Sequence, residues 1–302
     1  MNLPKTSQHL ICQSSGIQKY LRGLLTELSF VQITNQYRAL ARLTELIGNL
    51  REIKQASEGG TNSVNLSRVD WVCPISFLPI VSYANKMGIS VMYSGHNRNI
   101  RIYLNAIHFP DGINELTTVR RNFLPITRVN CDDCNDMLTQ YEDRILEKLP
   151  QSQRQEALTG LKYLTSELEA NIREHAQVES YWIFAQYWAR SRTCEIGICD
   201  SGIGYKQSYV GTRYEVTRHI DAIMNALEGR SSKTPDERGS GIPTIARILD
   251  EGYGGQLIIM SGDSFLLSDQ GEKTGYRFNL TFDGSFIGFR FSLRGINIYD
   301  FL

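Results

Sequence analysis

The sequence lacks a long hydrophobic run. None of its apolar stretches approaches the roughly 20 residues a membrane-spanning helix needs. It also lacks a charge imbalance: 32 Lys and Arg are matched by 32 Asp and Glu. A formal net charge of zero provides no broad electrostatic grip on nucleic acid or anionic lipid, although a local patch would be hidden in the total. The opening Met1 to Gly16 carries Lys5 but no apolar core behind it, so it does not read as a secretory signal, and a cytoplasmic chain is expected. Without an export signal, the six cysteines are not expected to form a disulfide framework. Cys131-Asp132-Asp133-Cys134 is a lone CxxC, with no second CxxC or HxxxH to complete a structural zinc site, and it suits a polar turn before a helix. Cys194 and Cys199 fall in an apolar strand and read as small core residues. Three nucleotide signatures are missing too. There is no GxxxxGK followed by Ser or Thr, no GxGxxG opening a helix after a strand, and no HRD or DFG set. These absences remove the P-loop, Rossmann and eukaryotic-type kinase readings.

What is present is ordinary globular material. In 302 residues, 41% hydrophobic and 21% charged content supports two domains, or one domain with an appendage. Gly16 to Gln55 reads as helical, with Leu43, Leu46, Ile47, Leu50 and Ile53 repeating at three and four, and Ser57-Glu58-Gly59-Gly60 stops it. Val64, Leu66, Val69 and Trp71 suggest an extended segment. Pro74 suits the first turn of a helix that runs to about Lys86 and ends at Gly88. A β-rich run, Ile89 to Tyr93, precedes a second helix, Asn97 to Ala106, and a turn at His108 to Gly112; this small α/β unit ends near Ile126. Further on, Asp133 to Leu149 and Ser152 to Ala176 read as helices separated by Pro150. Strands are expected at Glu179 to Tyr187, Cys194 to Cys199 and Gln256 to Ser261, and a helix at Ile242 to Glu251. A closing hairpin, Tyr276 to Phe282 and Phe286 to Leu293, is expected to turn at Asp283-Gly284.

Glu167 and Asn171 are four apart on a helix and so share a face. A carboxylate beside an amide oxygen suits an attacking water and a hydrated Mg²⁺, which takes few protein oxygens plus phosphate and water. From spacing alone, a solvated helix face is the commoner meaning of such a pair. Asp200 ends an apolar strand beside Gly202 and Gly204. The acid can accept a hydrogen bond from an exocyclic amine, and glycines let backbone approach a flat ring; an Asp-Ser-Gly turn after a strand is the plainer alternative. Gly239 and Gly241 precede Ile242-Pro243-Thr244, where Pro243 fits a first helical turn and free amides face an anion. Ser231, Ser232, Lys233 and Arg238 lie just upstream, a set of hydroxyls and cations suited to phosphates or to a solvated loop.

In this order the segments resemble the GHKL ATPases, the group that shares the Bergerat ATP-binding fold. Glu167-Leu168-Glu169-Ala170-Asn171, continuing to Glu174-His175, is similar to the helical box of that family. Asp200-Ser201-Gly202-Ile203-Gly204 is similar to its first glycine box, and Gly239-Ser240-Gly241-Ile242 to its second. Ala226 to Lys233 resembles the lid, and Gly254 to Ser261 the strand that follows. The resemblance covers about Asp133 to Leu293. It implies a mixed sheet of four or five strands backed by helices, with Asp200 on the adenine amino group, Gly202 and Gly204 lining the adenine pocket, and Asn171 on Mg²⁺. Gly239 and Gly241, followed by Ile242, would sit at the phosphates with Ser232, Lys233 and Arg238, and Glu167 would polarise the attacking water or substrate hydroxyl. The late Gly-Thr feature of many members has only the imperfect candidates Thr274-Gly275 and Ile287-Gly288-Phe289. Residues Ser63 to Gly112 are similar to STAS domains of the anti-anti-sigma type, but Cys73-Pro74-Ile75-Ser76 stands where that family has Asp-Ser-Ser-Gly. Ser76 there is either an acceptor or an ordinary helix-start serine.

The expected fold is therefore α+β: a helical segment over 1–60, a STAS-like α/β unit over 61–127 and a Bergerat α/β sandwich over 128–302. The expected function is Mg²⁺-dependent ATP turnover in a regulatory protein, by hydrolysis or by transfer to a protein Ser or Thr as in anti-sigma kinases. The alternative is a non-catalytic, ATP-responsive switch whose lid orders on ATP. A regulatory or phosphoacceptor protein is the implied partner, with a homodimer compatible and neither membrane nor nucleic acid indicated.

Overall fold

The computed structural model of the chain describes residues 36–66, 69, 72–114, 122–131, 136–230 and 241–302. The stripe from Leu43 to Ile53 becomes the buried face of α1 (Gln36–Glu58). Next come β1 (Ser63–Asn65), α2 (Pro74–Met87) and β2 (Ser90–Met92), and the two strands pair in parallel. Pro74 opens α2, where a missing N–H costs nothing. Gly88 closes it in the left-handed conformation at φ 66°, its amide reaching the carbonyls of Ala84 and Asn85. The Asn97 side chain caps α3 (Arg98–Ala106) by accepting from the amides of Asn99 and Ile100.

The rest of the chain runs β3 (Phe123–Asn130), α4 (Asp136–Leu146), α5 (Gln151–Asn171), β4 (Ser180–Trp188), β5 (Thr193–Asp200), α6 (Gly204–Ser208), α7 (His219–Leu227), α8 (Gly241–Arg247), β6 (Gln256–Asp269) and β7 (Glu272–Ser292). Its strands form one sheet in the order β3-β4-β5-β7-β6. All side chains from Tyr181 to Tyr187 in β4 are buried, because both faces of the sheet are covered. Trp182 and Phe184 join a core with Leu50 and Leu78 from α1 and α2. Tyr181, Ile183 and Ala185 join a second core with Leu161 and Leu164 of α5, Ile223 of α7 and Ile245 of α8. The result is three layers, helix–sheet–helix, with an N-terminal layer on the first face.

The sheet departs from the expected mixed one: every neighbouring pair is antiparallel, and the parallel pairing lies apart, in β1 and β2. The closing hairpin also turns elsewhere. β7 is continuous through Asp283-Gly284, and the turn from β6 is at Gln270-Gly271, with φ 52° and 81°. Gly284 is a glycine because β7 crosses the Asp200 loop there, where a Cβ would overlap the Asp200 carbonyl oxygen. β6 continues past Ser261 to Asp269. It bends at Gly262, φ 61°, where the register with β7 shifts. The ribbon doubles back far enough for Gln256 Nε2 to donate to Asp269 Oδ2 at 3.0 Å. The boundary drawn at 127/128 falls inside β3. Ser76 is buried, with its Oγ 3.1 Å from Cys73 Sγ and donating to the Cys73 carbonyl at 3.3 Å, so it is closed to a kinase in this conformation. Among the described residues no helix is long and apolar enough to cross a membrane.

Candidate functional site

Two acids in the helical box have different surroundings. Glu169 is buried; it accepts from the Tyr181 hydroxyl at 2.7 Å and from Arg173 at 3.4 Å, an anchor of α5 to β4. Glu167 lies on the flank of α5 that meets α8. Burial, and then the neighbouring Glu174 carboxylate, raise its pKa. Asn171 Nδ2 donates to the Glu167 carbonyl one turn back, at 2.7 Å. The first residue of α8 rests on this pair: a Cβ at Gly241 would overlap Glu167 Oε2 and lie 3.6 Å from Asn171 Nδ2. Ile242 points the other way, into the second core.

After Asn171 the helix widens into a π turn, Ile172–Ala176, that ends at Gln177 in the left-handed region. The turn presents the Ala176 carbonyl to the Asp200 loop. It accepts from Ile203 N at 3.1 Å, and a Cβ at Gly202 would overlap it. Asp200 itself, 1% exposed at the end of β5, accepts from the amides of Gly202 at 2.8 Å and Ser285 at 3.3 Å and from the Ser285 hydroxyl. Burial pushes its carboxyl above the usual range, and these donors pull it back. Gly204, at φ 70°, has no room for a side chain: a Cβ would meet Ser261 Oγ at 2.6 Å and Gly284 O at 2.9 Å. Ser261 ties this corner together, donating to Gly284 O at 2.8 Å and accepting from Tyr205 N at 3.1 Å.

The fold therefore brings Glu167, Asn171 and Gly241 into one contact group and joins the Asp200 loop to it through Ala176. The space freed at Gly202 and Gly204 is filled by the chain's own atoms, so packing alone accounts for both glycines. Ser232, Lys233, Arg238 and Gly239 lie outside the described residues. Two residues escaped the sequence reading, Ser285 and Ser261. Ser285 follows an Asp-Gly pair read as a turn, whereas in the sheet it sits directly opposite Asp200. The two candidates for the late Gly-Thr feature lie elsewhere, Gly275 against Ile220 and Gly288 against Ile75 and Phe286. Among the described residues no group of three or more His, Cys, Asp or Glu is placed to hold a metal. No family model, curated protein or solved structure matches the chain.

Proposed function

We propose that the chain binds ATP with Mg²⁺ at the junction of α5, the Asp200 loop and the start of α8, and that it turns ATP over as a regulatory ATPase or protein Ser/Thr kinase with the Bergerat fold. The observation that carries this reading is the convergence of Glu167, Asn171 and Gly241, with the Asp200 loop tethered to the same helix end. Asp200 has both oxygens oriented by donors, two on Oδ1 and one on Oδ2, and the lone pair left on Oδ2 suits an amino group of adenine. Asn171 would offer one amide oxygen to Mg²⁺, which accepts a small protein share when phosphate and water complete its shell. Mg²⁺ would offset charge on the transferring phosphoryl group. Glu167 would take the proton of the attacking water or hydroxyl. Its raised pKa brings it nearer neutrality, where a base accepts a proton more effectively.

A second reading, an ATP-responsive switch without turnover, draws on one contact. Lys86, in the last turn of α2, donates to the carbonyl of Ser201 at 3.3 Å, joining the N-terminal layer to the Asp200 loop. Incubation with γ-labelled ATP and Mg²⁺, alone and with candidate partner proteins, separates the outcomes. Free phosphate means hydrolysis, labelled protein means transfer, and bound unreacted ATP means the switch. Turnover that survives Glu167→Ala would rule out Glu167 as the base.

A further inference from the structure

A cavity of about 220 Å³ opens at the end of β5 away from Asp200. The seven residue steps from Thr193, at its rim, to Asp200 span about 23 Å of strand, so the two places are separate. Arg42 of α1 and Arg290 of β7 both line it, with Thr193, Gln256 and the backbone of Gly254 and Gly255. Pockets for drug-sized ligands measure about 300–1,000 Å³, so this smaller space suits a small metabolite and not a nucleotide.

The charged groups around the cavity are not equally engaged. Asp269 accepts from Gln256 at 3.0 Å. Glu195, fully buried behind the wall, accepts from the Ile75 amide at 3.0 Å through Oε1 and lies 3.9 Å from Arg42 through Oε2. Arg290 is the exception. Its guanidinium lies over the Trp188 ring at 5.8 Å, and among the described residues it makes no hydrogen bond and no ion pair within 4 Å, although the buried Glu195 carboxylate attracts it from further off. A guanidinium carries five donors in a planar fork that matches a carboxylate or phosphate edge. Aromatic stacking holds that fork in place without consuming its donors.

We propose that this cavity is a binding site for a small oxyanion, a carboxylate or phosphate group, held by the Arg290 fork with Arg42 beside it. The site stands apart from the ATP reading and does not depend on it. The test is isothermal titration of the full chain, without nucleotide, with inorganic phosphate and separately with malonate, which distinguishes the two oxyanion classes. Saturable binding of at least one is expected. Arg290→Gln should weaken it roughly tenfold or more, and Arg290→Lys, which keeps the charge and loses the fork, should weaken it by less. Asn171→Ala should leave it unchanged. The proposal is overturned if neither anion gives saturable heat, if both Arg290 variants bind as well as the unaltered chain, or if Asn171→Ala abolishes binding, which would place the anion at the other site.

Discussion

Gly241 is the residue on which the site's geometry turns. Adding one methyl there drives a Cβ into Glu167 Oε2, so either α8 backs away or the carboxylate swings out. Oε2 is the free end of a flexible side chain, so the carboxylate gives way: Gly241→Ala is expected to move the urea midpoint, at constant m, by about 1 kcal/mol or less while lowering ATP turnover through the displaced Glu167. A loss well above that would mean that α8 itself has to back away. A second residue makes stability depend on pH. Glu142 is buried and accepts from the Thr165 hydroxyl at 2.7 Å. Burial pushes its pKa from 4.5 up to about 7. Below the unfolded value both states are protonated and nothing is lost. As pH rises from 4.5 through about 7 the folded state must hold a charge it disfavours, and stability falls. Glu142→Gln, which keeps the acceptor for Thr165, is expected to match the unaltered chain at pH 4 and to melt higher at pH 8. Equal melting temperatures at both pH values would remove the effect. At this scale the sequence singled out Glu167, Asn171, Asp200 and Gly241, because short polar motifs stand out against apolar flanks. It named Glu167 over Glu169 from its place in the box, but not that Glu169 is tied down, since that depends on Tyr181 in another element. Ser285 was hidden for the same reason, its role arising from register across the sheet.

α2 lies along β5, held at both ends. The buried Glu195 carboxylate accepts from the Ile75 amide in its first turn, and Lys86 reaches Ser201 from its last. An acid from a neighbouring strand thus serves the Ile75 amide, which the helix's own N-cap, Cys73, leaves without a side-chain acceptor. Glu195→Ala is expected to cost about 1–3 kcal/mol through the stranded Ile75 amide, and Glu195→Gln, which keeps an acceptor, much less. Comparable losses in urea unfolding would show that charge, not the hydrogen bond, matters there. The helices and most strands were readable from periodicity and from Pro and Gly placement, as at Pro74 and Gly88. The far half of β6 was not. Gly262-Asp263-Ser264 looks like a loop start, and only folding back onto the first core makes Phe265 and Leu267 strand residues.

The sheet is covered on both sides, and on that account the chain is expected to behave as one folding unit. Phe184, Cys199 and Phe286 face the N-terminal layer, so a fragment of residues 128–302 would expose them. That fragment is expected to aggregate or stay unfolded by circular dichroism and size-exclusion chromatography. A monomeric, native-like fragment would instead establish an autonomous C-terminal domain. The N-terminal layer was read from sequence as a separate unit because its own strand–helix–strand pattern is locally complete. Its attachment to the sheet depends on long-range packing that no local pattern encodes. For the molecule as a whole, the central claim is that the Asp200 corner takes an adenine nucleotide. Calorimetric titration of the full chain with ATP and Mg²⁺ tests this directly. A saturable, one-to-one isotherm that Asp200→Asn weakens by roughly tenfold or more is predicted, consistent with losing a charge-assisted hydrogen bond. No heat at millimolar ATP, or an isotherm unaltered by Asp200→Asn, would contradict it.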